Sequence, residues 1–93
     1  MKIILTNDDG FDHPGIKALF KELHDKHEVF LIGPDQNRSG FSSAITFLTP
    51  LRHKKYADNI FSLNGTPVDC VKVARNILCP FEPEIVVSGI NPG

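Results

Sequence analysis

The chain has 93 residues, which is enough for one small domain. Hydrophobic residues make up 41% of it, charged residues 23%, and the formal net charge is -1, an ordinary globular composition. A charge this close to zero leaves no electrostatic footprint for a nucleic-acid polymer. No apolar run reaches the roughly 18 residues of a membrane span, so we expect a cytoplasmic protein with neither a nucleic-acid nor a membrane partner.

The first part of the chain predicts a strand, a helix and a second strand. Residues 2–6 are rich in Ile and Leu and predict a short buried strand that ends at an acidic turn. Pro14 suits the first position of a helix, which we expect to end near residues 26–27. Its apolar stripe is predicted to consist of Ile16, Leu19, Phe20 and Leu23. Residues 28–32 predict a strand covered on both faces, and residues 34–40 form a polar loop.

The middle of the chain is too short for crossover helices, so we expect an antiparallel excursion over residues 41–63. Within it, the basic run 52–55 predicts a solvated face and residues 60–63 a short strand. Two cysteines, Cys70 and Cys79, match no metal-binding spacing. On one helix they would stand roughly 13 Å apart along its axis, so we interpret both as unpaired packing residues.

The second helix has a sharp predicted start. Thr66 suits the N-cap, Pro67 the first helical position and Asp69 the N3 site of a capping box. Its core positions are predicted to be Val68, Val71, Ala74 and Leu78, widened by Cys70, Val73 and Ile77. Residues 85–88 predict a further buried strand. The order of elements predicts an α/β fold with a mainly parallel sheet and a small antiparallel insert.

Polar side chains gather where the predicted strands end, which is where ligands bind in open parallel sheets. The three loops concerned carry Asn7, Asp8 and Asp9; Asn37, Arg38, Ser39 and Gly40; and Ser88, Asn91 and Gly93. Two adjacent carboxylates ~4 Å apart repel by about 4 kcal/mol at an effective dielectric near 20. A hard cation such as Mg²⁺ or Mn²⁺ would compensate that repulsion.

An all-oxygen metal site could therefore form from the two aspartates, the Ser39 hydroxyl and the Asn91 amide. Such a site holds phosphate, with Arg38 as a clamp and the helix start at Gly65-Thr66 as a source of N–H groups. The alternatives are that the two aspartates and Asn91 are ordinary turn residues, that Ser39 is an ordinary loop residue, and that Thr66 is a helix N-cap with no binding role. Metal binding by His24 and His27 is disfavoured, and a substrate role for His13 stays open.

Six motifs, in order and spacing, resemble the SurE survival-protein family over the whole chain. They are Thr6-Asn7-Asp8-Asp9-Gly10, Pro14-Gly15, Pro34-Asp35, Asn37-Arg38-Ser39-Gly40, Gly65-Thr66-Pro67 with Asp69-Cys70-Val71, and Ser88-Gly89-Ile90-Asn91. Each motif alone is weak, whereas six in sequence are specific. The resemblance implies a Rossmann-like, three-layer α/β/α domain over residues 1–93, the N-terminal part of a longer family domain.

The resemblance also implies an activity. Members of the family are metal-dependent 5'-nucleotidases that hydrolyse nucleoside 5'-monophosphates, with 3'-nucleotides and polyphosphate as further substrates. Each subunit would bind one divalent metal, Mg²⁺ or Mn²⁺, and the matching ligands are Asp8, Asp9, Ser39 and Asn91. The members are cytoplasmic homo-oligomers, dimers or tetramers. Because they are longer, we expect this chain to be truncated, with an exposed apolar surface on its last strand.

Phosphomonoester hydrolysis is the leading hypothesis. Asp8 would be the catalytic residue, as general base or as nucleophile, while Asn37 and Arg38 contact the phosphate. One alternative is a truncated, catalytically impaired fragment that still binds metal. Another is a receiver-like signalling domain, which would need an acceptor Asp at the end of a central strand, whereas Asp58 follows no buried strand.

Overall fold

The computed structural model describes residues 1–35 and 51–89 of the chain. The elements in these residues are Lys2–Thr6 (β1), Pro14–His24 (α1), Glu28–Pro34 (β2), His53–Ala57 (β3), Ile60–Leu63 (β4), Pro67–Val73 (α2), a π-helical turn at Ala74–Leu78, and Ile85–Ser88 (β5). This order confirms the predicted α/β fold. Helix α1 ends before residues 26–27, and β2 runs on to Pro34, past its predicted end.

The strands form one five-stranded sheet in the order β3-β4-β2-β1-β5. Strand β1 pairs in parallel with β2 on one side and with β5 on the other, and β2 pairs in parallel with β4. Of these strands, β3 alone runs antiparallel, against β4, so an antiparallel hairpin lies at one edge as predicted. The four parallel strands all end at the same side of the sheet, which we call the carboxyl edge.

A helix packs on each face of the sheet, which confirms the three-layer arrangement. On one face, Ile16 of α1 packs with Ile3, Leu5, Val29 and Leu31. On the other face, Cys70 of α2 and Ala74 of the π-helical turn pack with Ile4, Phe30, Ile32 and Leu63. Alternate residues of β1 and β2 thus enter opposite cores, as the geometry of a strand requires. Both strands are buried except at their first residue.

The apolar stripe predicted for the second helix is partly wrong. Cys70 and Ala74 are buried, whereas Val68 and Ile77 are 63% and 74% exposed. Ile77 lies in the π-helical turn, where the i→i+5 hydrogen bonding shifts side chains away from an α-helical stripe. Val68 lines an open groove together with Val86 of β5, so nothing in the described residues covers it.

Strand β5 has the predicted bounds but not the predicted burial. It lies at the edge of the sheet as described, and Ile85 and Val86 are 40% and 45% exposed. The expectation of an exposed apolar surface on this strand is therefore confirmed. Neither helix in residues 1–35 and 51–89 has the length and apolar character needed to cross a membrane.

Neither Cys70 nor Cys79 forms a disulfide, as predicted. Cys70 is fully buried between α2 and the sheet. Burial raises the pKa of the Cys79 thiol, a hydrogen bond from the Phe81 backbone opposes that shift, and the nearby Glu82 charge adds to it. A raised pKa lowers the thiolate fraction at neutral pH, so Cys79 has the character of a packing residue rather than of a nucleophile.

Candidate functional site

The acidic doublet lies in a loop that one side chain holds closed at the end of β1. Asn7 is fully buried, donates from Nδ2 to the Gly10 carbonyl oxygen at 2.9 Å, and accepts from the Gly10 amide at 3.3 Å. These two bonds close a ring around Asp8 and Asp9. Gly10 has a φ of 120°, in the region that side chains disfavour, so the chain turns there as predicted. The sequence pattern places Asn7 with the site but does not indicate this role.

The carboxylate of Asp9 has the environment expected of a metal ligand. Its Oδ2 is buried and has no hydrogen-bond partner in the part of the chain that the structure describes. A buried acceptor left without a donor costs about 1–3 kcal/mol, and an ionised one more. Asp8 is half-buried beside it. The two carboxylates therefore fit a hard, oxygen-preferring cation such as Mg²⁺ or Mn²⁺.

A close backbone approach fixes this loop against the end of β2. The Phe11 amide donates to the Pro34 carbonyl oxygen at 2.9 Å. A Cβ atom at Gly33 would lie 2.7 Å from the Phe11 Cα and 2.9 Å from the Phe11 nitrogen. Backbone atoms cannot yield as a flexible side chain does, so the approach requires glycine at position 33.

The loop also lies where the order of the strands reverses. The connection from β1 to β2 passes through α1 on one face, and that from β4 to β5 passes through α2 on the other. The reversal falls between β1 and β5, and in open α/β sheets ligands bind in the crevice at this point. The amide of Gly89, just after β5, donates to the Thr6 carbonyl oxygen at 2.9 Å, which holds the start of the β5 loop beside the acidic loop.

The start of α2 lies at the same carboxyl edge and forms the predicted capping box. The Asp69 amide donates to the Thr66 Oγ1 at 3.2 Å, while the Thr66 amide and hydroxyl each donate to the Asp69 Oδ2 at 3.0 Å. A Cβ at Gly65 would lie 2.9 Å from the Asp69 Cβ, so this turn is tight as well. The capping role of Thr66 is confirmed, and its contact with a substrate, like that of Gly65, stays a prediction.

Replacing Thr66 with alanine is expected to lower the free energy of unfolding by about 1 kcal/mol, because the capping box loses its acceptor for the Asp69 amide. Thr66→Ser keeps the hydroxyl and should stay within about 0.5 kcal/mol of the wild type. Urea unfolding of the three chains, followed by circular dichroism, measures the difference. Equal stability of the alanine and serine variants would contradict the capping role.

Four predicted site residues lie outside the described residues: Asn37, Arg38, Ser39 and Asn91. Within residues 1–35 and 51–89, no three His, Cys, Asp or Glu side chains gather closely enough to hold a metal by themselves. The predicted ligand set contains only two side chains of those types, Asp8 and Asp9. The full set therefore stays a prediction, and its two aspartates share one loop.

The histidines have local partners. The Nδ1 atom of His13 accepts from the Gly15 amide at 3.1 Å and caps the start of α1. His24 stacks on Phe20 with ring centroids 5.4 Å apart, and the Nδ1 of His27 lies 3.2 Å from the amino-terminal nitrogen. His13 thus has a structural role that Pro14 at the first helical position could have signalled.

The receiver-like alternative loses Asp58 as its phosphate acceptor. Asp58 lies in the turn between β3 and β4, and its carboxylate pairs with the Lys55 ammonium at 3.4 Å. That turn precedes β4, which runs parallel to β2, so Asp58 is at the edge opposite the acidic loop. Phosphorylation of Asp58 could not involve Asp8 and Asp9.

Comparison with known proteins gives consistent matches over this fold. The family model described as "Survival protein SurE" matches residues 3–93. The protein named 5'-nucleotidase SurE of Pseudomonas fluorescens (strain SBW25) is 48% identical over 93 residues, which are 100% of this chain and 37% of that protein. Its namesake in Geotalea daltonii is also 48% identical, over 100% of this chain and 38% of that protein.

A solved structure matches as well. The crystal structure of the SurE protein from Aquifex aeolicus superposes with a TM-score of 0.86 at 41% sequence identity, and the match covers 98% of this chain and 38% of that one. This chain therefore spans less than two fifths of the length of the relatives that it matches.

Proposed function

We propose, because the chain belongs to the SurE survival-protein family, that it carries the metal site of a 5'-nucleotidase that hydrolyses nucleoside 5'-monophosphates. The observation that carries this proposal is the buried Oδ2 of Asp9, which has no hydrogen-bond partner within residues 1–35 and 51–89. Asp9 follows Asp8 at the point where the strand order reverses. Relatives at 48% identity are named 5'-nucleotidase SurE, which supports the reaction class.

Four oxygen donors would hold one divalent cation, Mg²⁺ or Mn²⁺, per subunit: Asp8, Asp9, Ser39 and Asn91. When bound, the cation supplies charge neutralisation and polarisation of the phosphoryl group. The residues of the chain do the positioning. The Asn7 bonds to Gly10 hold the acidic loop closed, and the Phe11 bond to Pro34 fixes it against β2.

Asp8 is the proposed catalytic residue, as general base toward water or as nucleophile toward phosphorus. Arg38 would bind phosphate oxygens in its guanidinium fork, and Asn37 would donate a further hydrogen bond. Gly65 and Thr66 would approach the substrate from the start of α2. Because Asp69 already accepts from the Thr66 amide and hydroxyl, the contribution of Thr66 would be smaller than that of Arg38.

The wider properties belong to the same proposal. Residues 1–93 would act as one Rossmann-like SurE-type domain within a longer family domain. Nucleoside 3'-monophosphates and polyphosphate would be further substrates, since a metal site recognises the phosphoryl group that all of them share. The protein would work in the cytoplasm and assemble as a dimer or tetramer, and the exposed Ile85 and Val86 of β5 provide apolar surface for packing.

The second candidate function is metal binding without turnover. It is favoured by one observation, that the match spans 37–38% of the relatives' length. Residues that complete the substrate pocket could then lie in the part of those proteins that this chain does not match. Metal would still bind to the acidic loop, because both aspartates lie in the described part of the chain.

Release of inorganic phosphate from AMP and GMP, with Mn²⁺ or Mg²⁺ and with a chelator as control, tests the first candidate. Thermal unfolding with and without Mn²⁺ separates the two, because a ligand of the native state stabilises it by RT ln(1 + [L]/Kd). Metal-dependent phosphate release supports hydrolysis. A metal-induced rise in Tm without release leaves metal binding alone, and neither effect at saturating metal would contradict both.

A further inference from the structure

A cavity opens beside the acidic loop, between α1 and the β3–β4 hairpin, and the site described above does not use it. Its volume is about 480 Å³, within the range of small-molecule sites. The walls are mostly apolar and include Phe11, Phe20, Leu31, Tyr56 and Ile60. Two side chains of opposite charge, Asp12 and Lys17, also line it. A mostly apolar cavity with a few polar groups is the usual form of a binding site.

Two aromatic side chains from distant parts of the sequence meet at this cavity. The rings of Phe11 and Tyr56 stack with centroids 4.3 Å apart and an angle of 25° between their planes. Tyr56 is nevertheless 49% exposed, so its ring is not there to fill the core. The Lys54 ammonium lies 5.1 Å from the centroid of the Tyr56 ring. The cavity therefore presents π surface to solvent beside positive charge.

The cavity adjoins the acidic loop through the chain itself. Phe11 follows Asp9 by two residues, so their Cα atoms are at most about 7 Å apart. The bond from the Phe11 amide to Pro34 and the close packing against Gly33 hold the Phe11 backbone in place. A ligand whose phosphate lies at Asp8 and Asp9 could thus extend its remaining part toward Phe11.

We propose that this cavity binds the base of a nucleoside phosphate. The inference rests on the proposed function and deepens it, since it assigns the part of the substrate that is not phosphate. A planar base matches aromatic walls, because every base has a π face that stacks on such side chains. Asp12 accepts and Lys17 donates hydrogen bonds, which suits a base edge that carries both donors and acceptors.

Titration with adenosine in the presence of a chelator tests this site without hydrolysis, because adenosine has no phosphate. Tyr56 is the chain's only tyrosine, so the NMR signals of a tyrosine-labelled chain report on this cavity alone. We expect saturable shifts of the Tyr56 ring signals with adenosine and none with ribose. Tyr56→Ala, followed by calorimetry, should weaken adenosine binding by about tenfold, and Tyr56→Phe should restore it.

A matched control removes another ring from the same strand. His53 is also in β3 and exposed, but its ring lies 6.0 Å from that of Phe61, which packs in the core on the α2 face. His53→Ala should leave adenosine binding unchanged.

Absence of any Tyr56 shift, or equal shifts with benzyl alcohol, which lacks the edge groups of a base, would overturn the proposal. Adenosine binding without phosphate release from AMP would overturn the proposed function but not the base site. Phosphate release from AMP without adenosine binding would overturn the base site but not the proposed function.

Discussion

Replacing Asp9 with asparagine is expected to stabilise the metal-free chain by about 1 kcal/mol while abolishing the stabilisation by Mn²⁺. The Asp9 Oδ2 is buried without a hydrogen-bond partner in the described residues, and it belongs to a carboxylate next to that of Asp8. The neutral amide removes the buried charge and the repulsion between neighbours. The same change removes a metal ligand. At a metal concentration of 100 Kd, the free energy of unfolding of the wild type should rise by about 2.7 kcal/mol, whereas that of the variant should change little.

Urea unfolding of both chains, with Mn²⁺ and with a chelator, measures the two effects together. Asp58→Asn is the matched control, because it makes the same change of charge at the opposite edge of the sheet, where Asp58 is exposed. Its response to metal should equal that of the wild type. A variant at Asp9 that loses stability without metal would contradict the unfavourable burial of the Asp9 charge. A variant that keeps the full response to Mn²⁺ would show that Asp9 is not a ligand.

Gly33→Ala is expected to destabilise the chain by about 3 kcal/mol and to weaken metal binding at the same time. The added Cβ would lie 2.7 Å from the Phe11 Cα, so either β2 or the acidic loop has to shift. Strand β2 is hydrogen-bonded to β1 on one side and to β4 on the other, whereas the Phe11–Pro34 bond links the loop to β2, so we expect the loop to shift. Movement there displaces Asp8 and Asp9 together.

Gly65→Ala is the comparison variant, because position 65 also lies at the carboxyl edge of the sheet. Its Cβ would also meet atoms closely, at 2.9 Å, 3.0 Å and 3.1 Å, but these belong to the side chains of Asp69 and Leu51. The Asp69 Cβ moves only with the backbone of α2, and its Oδ2 belongs to the capping box, so we expect Gly65→Ala to shift the start of α2 and lower stability. The acidic loop is not among the close contacts of position 65, so the Mn²⁺ response should persist. Denaturant unfolding and metal titration rank the two variants. A Mn²⁺ response that is lost at position 65 but kept at position 33 would contradict the close backbone approach between β2 and the acidic loop.

The position of the acidic loop could be predicted from the sequence because the residues that determine it are neighbours in the chain. An apolar run that ends at Asn7-Asp8-Asp9-Gly10 predicts a strand and a turn, and parallel strands place such turns at one edge. The capping box of α2 was equally local, since Thr66, Pro67 and Asp69 lie within one helical turn. In both cases the residues that decide the structure are neighbours in the chain.

Features that depend on distant residues could not be predicted in this way. The requirement for glycine at position 33 comes from a loop that starts more than twenty residues earlier and meets β2 only in the folded sheet. The Phe11–Tyr56 stack joins the acidic loop to the edge hairpin. Helix α2 shows a third case, because the periodicity alone contained no sign of the π-helical turn that leaves Ile77 exposed.

The burial of the Asp9 carboxylate also depends on residues distant in the sequence. The sequence indicates that Asp8 and Asp9 are adjacent and that a cation would relieve their repulsion, but burial decides whether water could do so instead. In the structure, the Asp9 Oδ2 is buried. That observation favours a metal site over a turn without a ligand, because in a turn of that kind water would hydrate both carboxylates.

Anomalous diffraction from crystals soaked in Mn²⁺ is the most direct test of a shared metal site at the carboxyl edge. One peak is expected, at about 2.0–2.2 Å from carboxylate oxygens of Asp8 and Asp9, with Ser39 and Asn91 completing the coordination. A peak at any other place, or coordinates at saturating Mn²⁺ in which these four side chains share no ion, would contradict the account.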